Sequence, residues 1–340
     1  MRTTHRSEPS GAGGKSVSPF RALQLSEGLG VTILLVLVVG VASVTARGFF
    51  TYTNITNTVI IASITAVTGF GMTFAIAMGG FDLSVGSVQS LTAITVAALL
   101  SVTNIPLAVT GALIVGLCIG LGNGLIISKL RVSPFVATFG MMSIVRGVSL
   151  LVTRGQSVLI TNRPAFAALN VGKVLWIPVP FIIVLVVFAA LYTVLKHTPF
   201  GRHVCAVGGN RKAAVASGLS VAKITIAVFG LVGITAGVSG VMLSSQLLIV
   251  DGTLGTGFEL QTIAISVLGG TSLAGGSGNL LGTLIASLLI ATISSALNIL
   301  KVAAFYQYLY LGLLLVLALY LDTIRRDILA ASILSRGERT

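Results

Sequence analysis

Long apolar runs, separated by short polar connectors, fill the chain after a polar first segment. A helix of about 20 apolar residues is long enough to cross the hydrocarbon core of a bilayer. The pattern therefore predicts about ten membrane-spanning helices, with a range of eight to eleven. The runs lie at residues 28–46, 56–79, 84–101, 105–128, 134–153, 176–196, 222–247, 258–272, 277–297 and 303–322. The run at 258–272 is short with polar ends, so we expect it to be tilted, broken or partly re-entrant.

The amino-acid composition also indicates an all-α polytopic membrane protein. Hydrophobic residues make up 55% of the chain and charged residues only 9%, whereas soluble domains carry about 25% charged residues. So few charges cannot cover a water-soluble surface. The 40 glycines suit close packing of helices in lipid. The two cysteines have no CxxC partner, so we expect neither a disulfide framework nor a metal site.

The formal charge of +13 bears on topology. Basic residues lie mainly in the tails and connectors, and cytoplasmic connectors of membrane proteins are enriched in Lys and Arg. We therefore expect contact with the lipid bilayer rather than with nucleic acid. Ten spans with a cytoplasmic N-terminus bring most of the basic connectors inside, including the long one at 196–223. Both the N- and C-termini are then cytoplasmic.

The chain divides into segments on this basis. Residues 1–26 form a disordered basic cytoplasmic tail, 27–323 the transmembrane domain and 324–340 a cytoplasmic C-terminal tail. A hint of internal repetition links "GGFDLSVGSVQSLTAI", which starts at Gly79, with "GGTSLAGGSGNLLGTLIASL", which starts at Gly269. Interrupted helices in two halves of a chain are typical of transporters built from repeats.

Two ionisable residues in apolar surroundings have more than one interpretation. Asp82 lies between two spans, where it can cap the helix that starts near Ser84 or serve ligand binding or ion coupling. Arg146 lies inside a span, where it can pair with a carboxylate, bind backbone carbonyls, extend toward the outer interface or contact the substrate directly. The sequence leaves these alternatives open.

No catalytic motif is present in the sequence. The stretch "PSGAGGKS", from Pro9 to Ser16, resembles a phosphate-binding loop, but it lacks the first glycine and a preceding strand. We therefore expect that the chain is not an enzyme and does not hydrolyse ATP itself.

Four stretches together resemble the permease subunits of ribose-type and arabinose-type ABC sugar importers, a group that also holds branched-chain amino-acid permeases. They are "GMTFAIAMGGFDLSVGSVQSL" (71–91), "NGLIISKLRVSPFVATFGMMSIVRG" (123–147), "TPFGRHVCAVGGNRKAAVASGLSV" (198–221) and "GTGFELQTIAISVLGGTSLAGGSG" (255–278). The resemblance covers roughly residues 30–325 and implies a type II ABC importer-like fold. Phe81 stands where the ribose-type segment has Ile, as in arabinose-type relatives, so the motif does not fix the sugar.

The resemblance also implies an assembly in the bacterial inner (plasma) membrane. A second permease subunit, identical or a sister, would pair with this chain, and two cytoplasmic ATPase subunits would bind ATP. An extracytoplasmic sugar-binding protein would deliver a monosaccharide, with ribose or another pentose expected. The chain itself would need no cofactor.

The connector 196–223 would then be the ATPase coupling loop within the permease domain 27–323. Importer permeases meet their ATPase through the pattern EAAxxxG, which is matched here by Ala213, Ala214 and Gly218, with Lys212 in place of the glutamate. The candidate coupling residues are Arg202, Gly208, Gly209, Asn210, Lys212, Ala213, Ala214 and Gly218.

A neutral sugar calls for a path lined by uncharged polar side chains. The candidates are polar residues in or beside apolar spans: Thr73, Asp82, Ser84, Ser87, Gln89, Ser143 and Asn298. Asp251 and Glu259, in the outer segment "DGTLGTGFEL", either contact the binding protein or belong to an ordinary surface loop. The alternative function is an ion-coupled secondary transporter of a small polar solute, with Asp82 as its relay and no need for an ATPase.

Overall fold

The computed structural model describes residues 19–303, with side chains from residue 28, and positions 305, 306, 309, 310, 312–314, 316, 317 and 320. The helices are α1 Pro19–Thr45, α2 Tyr52–Ala77, α3 Val85–Val102, α4 Ile105–Lys129, α5 Pro134–Thr153, α6 Pro164–Val171, α7 Val179–His197, α8 Pro199–Gly209, α9 Arg211–Ala216, α10 Val221–Leu247, α11 Phe258–Leu268 and α12 Leu280–Ile299. Two-residue strands form two small antiparallel pairs: β1 Val158–Leu159 with β4 Ile249–Val250, and β2 Lys173–Val174 with β3 Ile177–Pro178.

Eight of these helices are long and apolar enough to cross a membrane: α1 (from Gly28), α2, α3, α4, α5, α7, α10 and α12. The predicted all-α, multi-pass architecture is therefore confirmed, while the described residues contain eight such spans rather than ten. The run predicted at 258–272 forms the 11-residue helix α11, which is too short to span. The last predicted span, 303–322, and the tail 324–340 lie wholly or partly outside the described residues.

The first helix is longer than predicted. It begins at Pro19, so residues 19–26, which the sequence analysis assigned to a disordered tail, are helical. Residues 1–18 lie outside the described part of the chain. A helix of 27 residues is about 40 Å long, longer than the hydrocarbon core of about 30 Å, so one end of α1 extends beyond the core.

The core is built around α2 and α10. In the most apolar part of α2, 89% of the residues are buried, against 11% in α1, which lies at the periphery. Small residues let α4 approach α10 closely: a Cβ added at Gly116 or Gly120 would meet the backbone of Gly233 or Phe229. The glycine spacing in these helices therefore serves helix packing inside the subunit.

One end of the bundle, here called end A, is formed by the connectors 78–84, 130–133, 198–220 and 269–279. The Gly276 N–H donates to the Ala77 carbonyl over 2.8 Å. Gly80 faces the ring of Pro134, and Gly208 lies directly against both Ala77 and Gly276. Backbone touches backbone here, so end A is closed.

The opposite end, here called end B, contains the connectors 46–51, 103–104, 154–178 and 248–257. Pairing of β1 with β4 joins the two longest of them. The Arg163 guanidinium donates to the Leu100 carbonyl at the end of α3. The Lys173 ammonium lies 4.5 Å from the ring centroid of Tyr52, the first residue of α2.

The two glycine-rich interruptions end their helices in the same way. Gly79 and Gly270 have φ values of 88° and 91°, and each donates to the carbonyl three residues earlier. Gly80 and Thr271, one position later, donate to carbonyls five residues back, the pattern of a Schellman-type cap. The structural correspondence thus pairs Gly79 with Gly270, one residue away from the alignment that the sequence suggested.

Candidate functional site

A cavity of about 370 Å³ lies among α2, α3, α10, α11 and α12. Its lining residues are Ile61, Ile64, Thr65, Gln89, Leu243, Gln246, Gly255, Thr256, Gly257, Phe258, Gln261, Ser294 and Tyr310. Among these described residues the polar side chains are neutral amides and hydroxyls, and none is charged. Seven of the thirteen lining residues have polar side chains, so the cavity suits a small molecule that has polar groups of its own.

The short helix α11 explains why a cavity forms here. Its 11 residues are roughly 16 Å long, about half of a hydrocarbon core of about 30 Å. Because α11 ends at end A, its first residue lies deep in the bundle, and the preceding segment 251–257 descends from end B without helical structure. Non-helical backbone at membrane depth occurs where protein buries it or where it lines a cavity, and Gly255–Phe258 do line the cavity.

Two polar pairs shape the cavity wall. The Gln89 amide donates from Nε2 to Ser239 Oγ over 2.5 Å, and its Oε1 has no hydrogen-bond partner among the described residues. Ser294 Oγ and the Tyr310 hydroxyl are 2.6 Å apart. These pairs orient the side chains of Gln89, Ser294 and Tyr310 within the wall.

Arg146 holds the 251–257 segment in place. Its Nη1 donates to the carbonyls of Gly252 and Leu254, both at 2.7 Å, so the structure shows the carbonyl binding that was one of the alternatives. Hydrogen bonds from a charged donor are stronger than neutral ones. Arg146 therefore fixes the backbone immediately before the cavity-lining residues Gly255 and Thr256.

Asp251 and Glu259 flank this segment, and neither carboxylate is fully exposed. Asp251 Oδ1 accepts from the Thr253 hydroxyl and N–H, each at 2.7 Å, and from the Leu254 N–H at 3.1 Å. These hydrogen bonds, that of the Thr253 hydroxyl first, lower the pKa of the Asp251 carboxyl. Glu259 Oε2 is buried near Gly86 without a partner among the described residues. Contact with a binding protein stays a prediction for both.

Asp82 lies in a separate, closed cluster near end A. It is 1% exposed, and its Oδ1 accepts from the Ser84 N–H at 2.8 Å and the Ser84 hydroxyl at 2.5 Å. Asn123 donates from Nδ2 to Asp82 Oδ2 at 3.3 Å and to Ser84 Oγ at 2.9 Å. Asp82 thus holds Ser84, the residue before α3, but it does not cap α3, whose start has no side-chain cap hydrogen bond, and it does not line the cavity.

The remaining predicted path residues lie elsewhere. Thr73 is buried, 2.9 Å from the Thr283 hydroxyl, and Ser87 is buried with its hydroxyl on the Ser84 carbonyl. Ser143 and Asn298 are exposed on α5 and α12. Of the predicted set, the cavity contains Gln89. The cavity also contains five polar residues that were not predicted, although glutamines inside predicted spans are a visible signal: Gln246, Gln261, Ser294, Tyr310 and Thr65.

The predicted coupling residues form an exposed helical element at end A. Asn210 separates α8 from α9, and its Oδ1 accepts from the Ala213 N–H at 3.0 Å. Gly218 closes the turn after α9 with φ of 80°. The exposed members are Arg202, Gly209, Asn210, Lys212, Ala213 and Gly218. Ala214 is buried, and Gly208 contacts the end of α2.

The sequence matches the family model described as the permease component of the branched-chain amino acid transport system over residues 54–319. The chain belongs to this permease family. As a permease component it is a multi-pass transport subunit rather than an enzyme, which confirms the expectation drawn from the four motif stretches.

Several curated relatives of this permease are similar along most of their length. The ribose import permease of Escherichia coli K12 is 38% identical over 294 residues, covering 85% of this chain and 92% of the relative. The ribose import permease of Bacillus subtilis is 39% identical, covering 86% and 91%. The L-arabinose ABC transporter permease of Azospirillum brasilense is 34% identical, covering 92% and 93%. No solved structure matches this permease.

Proposed function

We propose that this permease is the membrane-spanning subunit of an ATP-binding-cassette importer that moves a monosaccharide, ribose or another pentose, across the bacterial inner membrane. Its relatives are named for ribose, L-arabinose and D-allose, all neutral and rich in hydroxyl groups. The extent of the similarity supports a shared substrate class.

The cavity carries this proposal. A sugar hydroxyl both donates and accepts hydrogen bonds, and a glutamine amide has a carbonyl that accepts and an NH2 group that donates. Gln89, Gln246 and Gln261 supply three amides, and Ser294 and Tyr310 add hydroxyls. A neutral solute needs no charged partner, and the described lining contains none.

We further propose that end A faces the cytoplasm. Basic residues of the described chain are denser there, at Lys129, Arg131, Lys196, Arg202, Arg211, Lys212 and Lys223. End B has Arg47, Arg154, Arg163, Lys173 and Lys301. The excess at end A fits the preference of cytoplasmic connectors for Lys and Arg, and both termini would be cytoplasmic.

The exposed element α8–α9 would then receive two partner ATPase subunits, which bind the ATP, so the permease itself needs no cofactor. Gly208 links this element to the end of α2 and to Gly276. Because these backbones are in contact, a displacement of α8 by the ATPase moves the closed end of the bundle. A second permease subunit, identical or a sister, and a sugar-binding protein at end B complete the proposed assembly.

Transport would alternate between two states. In the state described here, end A is closed and the cavity lies beside the 251–257 segment that descends from end B. ATP-driven movement of α8–α9 would separate the contacts among Ala77, Gly208 and Gly276 and release the sugar toward the cytoplasm.

Reconstitution tests this function directly. The permease is placed in liposomes with its ATPase and binding protein, with ATP supplied to the ATPase, and uptake of labelled ribose, arabinose and xylose is measured. We expect uptake only when all components are present. Uptake by the permease alone, driven by an imposed pH gradient, would overturn the proposal in favour of a secondary transporter.

A further inference from the structure

The hairpin β2–β3 carries an unusual apolar tip. Its two-residue turn consists of Leu175 and Trp176, with φ values of 49° and 74°, and their side chains are 86% and 83% exposed. Two-residue hairpin turns with positive φ ordinarily use Asn and Gly, because positive φ values are sterically unfavourable for residues with large side chains. A turn that displays two large apolar side chains outward indicates a surface that something else covers.

The hairpin lies at the level where two membrane spans begin. Its last residue, Pro178, directly precedes α7, which starts at Val179. Lys173, its first residue, lies over the ring of Tyr52, which begins α2. The tip is therefore near the boundary between the hydrocarbon core and water at end B.

The side chains at this level have the chemistry of a membrane interface. Phe50 and Tyr52 are 62% and 51% exposed, and Trp and Tyr concentrate where apolar core meets headgroups. Lys173 supplies a cation that complements lipid phosphates. On α7, Val186 is 65% exposed and continues the apolar surface from the hairpin toward the bilayer centre.

We propose that the β2–β3 hairpin inserts its tip into the bilayer at end B. Leu175 and Trp176 lie at the boundary of headgroups and acyl chains, and Lys173 lies among the phosphates. The occupant of this apolar surface is lipid rather than a soluble protein, because the hairpin leads directly into α7, a helix long and apolar enough to span the membrane, on which Leu185 and Val186 are exposed. The hairpin thereby anchors the outer connector 154–178 against the membrane.

The chain contains a single tryptophan, so tryptophan fluorescence reports on this tip alone. The full chain is reconstituted in vesicles of phosphatidylcholine, of phosphatidylcholine brominated close to the headgroup, and of phosphatidylcholine brominated near the acyl-chain ends. Both leaflets contain the bromines, so the orientation of the protein does not affect the result. Iodide on both sides of the membrane measures exposure to water.

Two control variants calibrate the measurement. Trp176→Phe combined with Val186→Trp moves the probe along α7 to a lipid-facing position deeper in the bilayer. Trp176→Phe combined with Val215→Trp moves it to the exposed helix α9 at end A, since Val215 is 58% exposed. The first probe should be quenched most by deep bromines and the second by iodide.

We expect Trp176 emission to be blue-shifted from that of the Val215→Trp probe. Bromines near the headgroup should quench it more than deep bromines, and iodide only weakly. Strong iodide quenching without bromine quenching would overturn the proposal, because the tip would then project into water. Emission that changes only when a sugar-binding protein is added would also overturn it and assign the tip to a protein contact.

Discussion

The two ends of this permease are built on opposite principles. At end A, glycine backbones touch and the Asp82 carboxylate accepts from Ser84 and Asn123. Toward end B, the Arg146 guanidinium holds the non-helical segment 251–257 beside a cavity of about 370 Å³. A closed end A with a cavity in the other half of the bundle fits one state of an alternating-access cycle. Polar groups in the closed end therefore stabilise the fold, while those beside the cavity lie where a solute can contact them.

The largest effect is expected from Asp82→Ala at end A. It removes the acceptor of the Ser84 N–H and hydroxyl and leaves Asn123 Nδ2 with Ser84 Oγ alone, at a cost of about 1–3 kcal/mol for each buried donor left unpaired. The thermal unfolding temperature in detergent should fall sharply, and the yield of folded protein should fall with it. The matched control is Asp82→Asn, which keeps Oδ1 as an acceptor. Asn123 Oδ1 has no partner among the described residues. In Asp82→Asn, a rotation of the Asn123 amide therefore lets this oxygen accept a hydrogen bond from the amide nitrogen introduced at position 82. Equal stability of Asp82→Ala and wild type would contradict the architectural role.

A smaller but substantial effect is expected from Arg146→Gln. The variant loses two charge-assisted hydrogen bonds to Gly252 and Leu254, worth about 1.5–3 kcal/mol each. Since these bonds position the cavity wall, uptake should lose apparent affinity for the sugar as well as maximal rate. Arg146→Lys keeps the charge but not the planar fork and should recover part of the affinity. A purely structural role would lower the amount of folded protein with no change in apparent affinity.

Gly208→Ala tests the contact between the coupling loop and the bundle. The added Cβ would meet the Ala77 carbonyl and come within 2.7 Å of the Gly276 nitrogen, and such overpacking costs about 1–3 kcal/mol. We expect ATP hydrolysis by the assembled transporter to continue while uptake falls. Gly209→Ala is the neighbouring control, because its Cβ would find its nearest atom at 3.8 Å. Identical uptake by the two variants would show that this contact transmits no motion.

Gln261→Met should weaken transport without affecting folding. Methionine keeps the length of the side chain but removes its donors and acceptor. One neutral hydrogen bond to the sugar is worth about 0.5–1.5 kcal/mol, so the apparent affinity should fall up to about tenfold. Ser143→Ala is the control, since Ser143 is exposed on α5, and it should transport as wild type does. Unchanged affinity in Gln261→Met would place the path elsewhere.

The smallest effect is expected from the pH dependence of Asp251. Its folded pKa is lowered by hydrogen bonds, chiefly from Thr253, so its stabilising contribution is present above the ordinary value of about 3.9. The contribution is lost only as the pH falls below that value, through the folded pKa. Uptake measured between about pH 5 and pH 8 should therefore not vary through this group. A change of uptake in that range that Asp251→Asn removes would contradict the assigned hydrogen bonds.

The sequence was informative about the membrane spans and about the position of the long basic connector between α7 and α10, because hydropathy and connector charge are local properties. The irregular start of α11 was also visible, since 258–272 was too short and too polar at its ends. Helix α1 was placed too late because residues 19–26 are not uniformly apolar.

The cavity lining could not be derived from the same pattern. Helix α2 is buried on nearly every side, so its sequence has no polar stripe that marks the direction of the path. Ser143 and Gln261 are both polar residues within apolar runs of the sequence. Tertiary packing alone decides that Ser143 is exposed on the surface and that Gln261 lines the cavity. For Arg146 the alternatives differ only in which partner lies nearby, and the carbonyl partner is more than 100 residues away in the chain.

The most direct test compares Gln261→Met with Asp82→Asn in the same reconstituted transporter, with ATP-dependent uptake of labelled ribose as the readout. The expectation is that Asp82→Asn retains uptake without an imposed pH gradient, while Gln261→Met loses apparent affinity for ribose. Loss of uptake in Asp82→Asn protein that is folded and assembled, with normal affinity in Gln261→Met, would contradict it and move the transport path to the Asp82 cluster.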